Sequence, residues 1–218
     1  MKIHLRNIIR FSLLLVAIAF LYWLLNKRGY LPPISYFSPN IENNDLKLLA
    51  PSDNLLNNGL PITEVISKPI DKSQTVILVD KSQSRLTVYY QHKPVKSYPV
   101  VFGSSPTGDK LKEGDMKTPE GTFKIRDLYP HPQWSKFIWL NYPNHQSWQK
   151  HLQAKKQKVI PLSASIGSAI GIHGVNKGSD YLIDEGNNWT WGCVSLKNND
   201  VDEIYSIVEV GTTVKIVP

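Results

Sequence analysis

The sequence holds a single cysteine, Cys193, among 218 residues. An internal disulfide is excluded, and one thiol with scattered histidines lacks the ligands that a closed metal site needs. Acidic residues are missing from positions 1–28, where Lys2, Arg6, Arg10, Lys27 and Arg28 supply most of the formal net charge of +7. The remainder carries 20 basic and 18 acidic residues without a basic stripe, so a nucleic-acid partner is excluded. There is no internal repeat. An apolar run of about 20 residues, the usual length of a membrane span, is also missing; positions 11–25 give fifteen uncharged residues.

That run is nevertheless informative. Arg10 and Lys27 flank it, and charged side chains at such positions can snorkel, so the segment just reaches the low end of a span. Three basic residues before it and two after favour a cytoplasmic N-terminus. Ala17-Ile18-Ala19 has the shape of a cleavage site, but the apolar run continues past it to Leu25. The expectation is a signal anchor or transmembrane helix over 1–28 with the bulk of the chain exported, or a secreted chain if the anchor is cleaved. A buried core helix is the alternative.

Residues 29–72 hold six prolines and six asparagines. Such a composition predicts a loosely ordered linker, with one turn of helix at 45–49. From position 73 the pattern changes. Runs at 76–79, 85–90, 95–102, 123–126, 137–140, 170–173 and 214–217 are rich in β-branched and aromatic residues and predict short strands. Turns are expected at 82–84 and 91–93. Residues 145–157 predict a polar surface helix. Residues 199–208 predict a second helix, with an Asn cap and acids in its first turn. Residues 73–218 therefore form one mainly-β domain of sandwich or barrel type. The connection 103–121 is long, and long loops in compact domains are often functional.

The thiol decides what the domain does. A free cysteine is mostly protonated at neutral pH, and nucleophilic use needs an imidazole or a helix N-terminus beside it. Of the six histidines, five lie in the anchor, in turns or in the polar helix. His173 ends an apolar run and precedes Gly174, and Cys193 follows Gly192 at the start of another. Both positions fit the rim of a sheet. The plain alternatives are a small buried hydrophobe at 193 and a hydrogen-bonded structural histidine at 173. Trp189 and Trp191 flank the thiol, either as a substrate wall or as packing.

Ile172-His173-Gly174, followed by Thr190-x-Gly192-Cys193-Val194-x-Leu196 and Asp200, resembles the L,D-transpeptidase catalytic domain. Gly108-Asp109-Lys110, Glu113-Gly114-Asp115 and Thr118-Pro119-Glu120-Gly121 look like one subgroup of that family. The resemblance implies a β-sandwich with a few short helices and an enzyme of the bacterial cell envelope. It implies acyl transfer on peptidoglycan stem peptides. Cys193 would attack the third stem residue, release D-alanine and pass its thioester to a stem amine or to a lysine of a wall-linked lipoprotein. His173 would serve as base, and the backbone at Gly192 and Cys193 would hold the oxyanion. Gly174, Thr190, Trp191 and Ser195 are the positions expected to line the substrate. No metal or other cofactor is expected.

Two positions depart from the pattern. Trp191 stands where many members have His, and Ser195 where many have Arg. Lys110, Arg126 and Lys177 are then candidates for binding a substrate carboxylate. A hydrolase with the same site, trimming stems or detaching a wall protein, and a non-catalytic peptidoglycan-binding module are the alternative functions.

Overall fold

The computed structural model describes residues 2–38, 54–66 and 69–218, with side chains from Phe11 onward in the first helix. The turn of helix expected at 45–49 lies outside the described residues. Helix α1 is Lys2–Lys27. Phe11, Leu13, Leu14, Val16, Ile18, Phe20 and Trp23 are all exposed along it. Among the described residues, however, no helix is long and apolar enough to cross a membrane.

Among the described residues, eight strands form one sheet in the order β3-β2-β1-β8-β4-β5-β6-β7. β1 (Thr75–Asp80), β2 (Arg85–Tyr90) and β3 (Lys93–Pro99) make an antiparallel meander. Alternation places Thr75, Ile77 and Val79 of β1 inside, as a strand with one buried face requires. Gln91 and His92 both take positive φ, 49° and 65°. They make the two-residue turn whose twist matches a right-handed hairpin.

β8 (Thr213–Val217) lies parallel to β1 and antiparallel to the start of β4 (Gly121–His131). β4 runs on past its irregularity at Ile125/Asp127 to pair with β5 (Ser135–Leu140). β6 (Gly171–His173) follows antiparallel to β5, and β7 (Val194–Ser195) parallel to β6. The expected sandwich of two sheets is thus corrected to one curled sheet, because the long β4 belongs to both halves. Its two edges meet: Val101, just beyond β3, exchanges hydrogen bonds with Ser195 of β7 at 3.0 and 2.9 Å.

The enclosed core contains Ile77, Val79, Leu86, Phe123, Ile138, Leu140, Ile172, Val194 and Val214. Helix α5 (Asn198–Ile207) adds Val201, Ile204 and Ile207, spaced to form one stripe. The Asn cap expected for α5 is not found. Lys197 occupies the cap, and Asn198 Oδ1 instead accepts from the Val175 amide at 3.1 Å.

Two further helices differ from expectation. α3 (His145–Lys156) buries Trp148, His151 and Ala154, so its polar composition conceals an inner stripe. α4 (Tyr181–Asp184) is too short to leave a periodic signal in the sequence. Within the expected linker, α2 (Ile62–Val65) docks on the domain and puts Ile62 and Ile66 into the core. The Ser97 amide donates to Leu56 O at 3.0 Å beside it. A second docked piece starts at the foot of α1, where the Ile166 amide donates to Gly29 O at 2.9 Å. A cleft of 450 Å³ there is lined by Asn26, Arg28, Glu113, Trp148 and Ser168, and includes neither Cys193 nor His173.

Candidate active site

Cys193 is positioned by a turn and by a strand. Thr190 Oγ1 accepts from the Gly192 amide at 3.1 Å and donates to Cys193 O at 2.7 Å. One buried hydroxyl therefore fixes the chain on both sides of Gly192. Gly192 has φ +132, and a Cβ there would stand 2.6 Å from Lys117 O. Any other residue would collide with the loop backbone, which explains why a glycine precedes the thiol.

The loop 103–121 is ordered by its own charges. Asp115 accepts from the Leu111, Lys112 and Lys117 amides at 2.8, 3.0 and 3.2 Å and from Lys110 Nζ at 2.8 Å. The Gly103 amide donates to Thr118 Oγ1 at 3.1 Å. The loop is thereby held against Gly192 as one wall of the site.

β6 and β7 set Ile172 opposite Val194 and His173 opposite Ser195. Carrying that register back one residue sets Cys193 opposite Gly171. Side chains alternate along a strand, so Cys193 and His173 share a face while Ile172 and Val194 point into the core. They are diagonal neighbours on that face. Cys193 is partly exposed and its Sγ–H donates to Ala169 O at 3.5 Å. Burial pushes the thiol up to about 11, against the opposing pull of the Gly171 amide and the Lys110 charge.

His173 Nδ1 lies 2.7 Å from Gly174 O. A carbonyl only accepts, so Nδ1 carries the proton and Nε2 keeps its lone pair. Burial pushes His173 down to about 4, with the Gly174 bond opposing and His131 adding to the effect. Thiol and imidazole are both neutral at pH 7. The resting groups are therefore not a thiolate–imidazolium pair.

Around His173 stands an aromatic cluster that local sequence pattern does not reveal. Trp134 stacks on it at 4.4 Å and 24°, Phe137 lies nearly parallel at 5.6 Å and 9°, and Trp189 meets it edge-on at 5.5 Å. Trp134 also supplies the carbonyl that accepts the Gly174 amide at 3.0 Å. Phe137 faces His173 across the β5–β6 ladder, a pairing that needs the register. The available signals are the strand expected over 137–140 and the position of Trp189 near the thiol.

The positions expected to line the substrate separate into two groups. Trp191 is 80% exposed beside the thiol. Gly174, Thr190 and Ser195 are buried, and their polar atoms are spent on the turn and on His173. All three are buried beside the thiol turn and His173. The Gly192 amide is likewise spent on Thr190, which leaves Cys193 N–H as the backbone donor of the expected pair. Of the three candidate cations, Lys110 is buried against Asp115 and Arg126 lies over the Trp139 ring at 4.6 Å, while Lys177 is exposed. No group of residues that could hold a metal ion occurs among the described residues.

Known proteins are similar to this chain in sequence. The assigned L,D-transpeptidase YafK of Escherichia coli (strain K12) is 24% identical over 154 residues, covering 68% of this chain and 52% of YafK. The chain thus spans about half the length of that relative. The assigned L,D-transpeptidase YkuD of Bacillus licheniformis is 30% identical over 142 residues, 65% of either chain. Among solved structures, the helical cell shape determining protein Pgp2 from Campylobacter jejuni aligns with TM-score 0.46 and 22% identity, over 71% of this chain and 53% of that one. Residues 74–216, which hold every strand but the last residue of β8, match the model of the L,D-transpeptidase catalytic domain, and the chain belongs to that YkuD family.

Proposed function

We propose that this protein is a peptidoglycan L,D-transpeptidase that works through an acyl-enzyme on Cys193. The observation that carries the reading is the shared face of Cys193, just before β7, and His173 on β6, with the His173 proton fixed on Nδ1 by Gly174 O. Nε2 is then the one basic nitrogen of that ring. It takes the thiol proton as Sγ bonds to the carbonyl carbon of the third stem residue. Cys193 N–H faces the developing oxyanion. The C–N bond breaks, and the proton held by His173 leaves with the terminal D-alanine. An acceptor amine then attacks the thioester, passes a proton to Nε2 and releases the thiol.

The acceptor is a second stem peptide or a lysine of a wall-linked lipoprotein. Trp191 offers its exposed ring to the substrate in place of the histidine found in many members. On the same reading, residues 1–28 anchor the chain in the inner membrane, 29–72 connect, and 73–218 act in the periplasm or beyond. The exposed apolar side chains of α1 and the basic residues around them support this placement.

The test is incubation of the full chain with disaccharide-tetrapeptide muropeptides, followed by mass analysis of products and of intact protein. The expected result is a cross-linked dimer, with a transient adduct on Cys193. Shortened monomer without dimer would assign the hydrolase. Binding with neither product nor adduct would assign the non-catalytic module.

A further inference from the structure

The Gly174 carbonyl holds two side chains. His173 Nδ1–H donates to it at 2.7 Å, and Ser195 Oγ–H donates to it at 3.2 Å. Ser195 has no exposed surface, so neither water nor substrate competes for its hydroxyl. Its own backbone is locked, because N–H and C=O are both exchanged with Val101. The Gly174 amide is tied to Trp134 O. Every neighbour of this carbonyl therefore has a fixed origin, and the hydroxyl arrives from the residue that faces His173 in the ladder.

We propose that Ser195 is a positioning residue for His173. Its hydroxyl fixes the direction of the Gly174 carbonyl and limits the strength with which that carbonyl holds the Nδ1 proton. This rests on the reading of His173 as the base. A carbonyl shared by two donors gives less to each. When Nε2 gains a proton the ring becomes a cation, and its Nδ1–H···O bond strengthens as charge-assisted bonds do. With its second lone pair drawn by Ser195, the carbonyl offers less of that strengthening. The imidazole stays neutral at rest and returns its proton readily, while the doubly held carbonyl keeps the ring plane constant. The residue at 195 thus acts on the base from behind, where an arginine at the same place in many relatives would carry charge.

Thr and Val have nearly the same shape and differ by the hydroxyl, so Ser195→Thr against Ser195→Val isolates the donor from packing. Two measurements are made on the full chain in detergent. One is turnover of tetrapeptide muropeptides. The other is the titration of His173, read by NMR with ¹⁵N-labelled histidine and no substrate present. The Val protein is expected to show kcat about fivefold below the Thr protein, the worth of one neutral hydrogen bond, with KM within about twofold. Its His173 titration is expected to move up towards the ordinary histidine value, and that of the Thr protein to stay low. If Thr overpacks the site, Ser195→Ala against the natural protein gives the same comparison with the same expected direction. Equal titration midpoints with and without the hydroxyl overturn the proposal, whatever happens to kcat. Separated midpoints in a protein that forms no product would keep the positioning role and sink the transpeptidase reading instead.

Discussion

Two buried histidines in this protein look alike locally. His173 donates Nδ1–H to Gly174 O at 2.7 Å, and His151 of α3 donates Nδ1–H to Leu111 O at 2.6 Å. Burial lowers the pKa of both, and both bonds oppose it. Their surroundings differ. Nε2 of His151 is buried with no partner among the described residues, beneath the loop whose carbonyl it holds. His173 stands at a strand end on the face that carries Cys193. A neutral, carbonyl-bound imidazole is therefore not by itself a catalytic signature. The sheet register puts one of the two on the face of the thiol, where it is the proposed base, and the other holds a carbonyl of the loop 103–121.

The comparison can be tested in descending order of effect. Cys193→Ala removes the group that both the register and His173 serve. Turnover is expected to fall by on the order of 10⁴-fold or more, with no adduct by intact mass. His173→Gln keeps a polar side chain but no base. It is expected to cost about 10²–10⁴-fold in kcat while folding is retained by circular dichroism. His151→Ala should reverse the pattern. Loss of a buried side chain and of its bond to Leu111 O is expected to cost about 2–3 kcal/mol in denaturant titration, with kcat of the folded fraction within about threefold. A loss of kcat as large as that of His173→Gln would erase the distinction drawn here.

Acid offers a subtler test. His173 is lowered to about 4 from 6.5 by burial, and His151 is lowered for the same first reason. The unfolded chain then binds protons that the folded chain refuses. The stability that rests on both neutral rings is complete above about pH 6.5 and is lost as pH falls towards 4. The melting temperature is expected to be lower at pH 5 than at pH 7, and each single replacement should narrow that gap. The thiol acts in the other direction: alkylation of Cys193 by iodoacetamide should be slow at pH 7 and rise until well above pH 9, because burial holds the group near 11. Smallest of all, Trp191→Ala should leave the melting temperature unchanged within about 1 °C, since its ring is 80% exposed. A rise in KM alone would mark that ring as a contact to substrate.

Parts of this arrangement were legible in the sequence. The strands, the hairpin turns and the helix α5 follow from periodicity and turn residues, while Cys193 and His173 were singled out by the scarcity of thiols and by glycine placement and given a role by the resemblance. Other parts were not, for a common reason. β7 has two residues and α4 has four, too few for any period to register. Trp134, Phe137 and Trp189 meet His173 only through the pairing of distant strands. Ile62 and Ile66 sit in a proline- and asparagine-rich stretch that reads as linker, yet tertiary burial outweighs the local composition. Thr190 and Ser195 were given a place at the substrate by the resemblance, and the structure ties their hydroxyls to backbone carbonyls. The direction of a hydroxyl depends on which lone pairs lie behind it, and no linear pattern encodes that.

The place of β8 has a consequence for how the protein comes into being. It is the last strand in the sequence and yet lies in the middle of the sheet, between β1 and β4. β1, the first strand of the meander, and β4, which leads through β5 to the strands beside His173 and Cys193, flank β8 on opposite sides. A chain emerging from a ribosome or a translocation channel holds two unfinished edges until residues 213–217 arrive. The meander and the half of the sheet that carries His173 are thus joined only when that strand docks between β1 and β4.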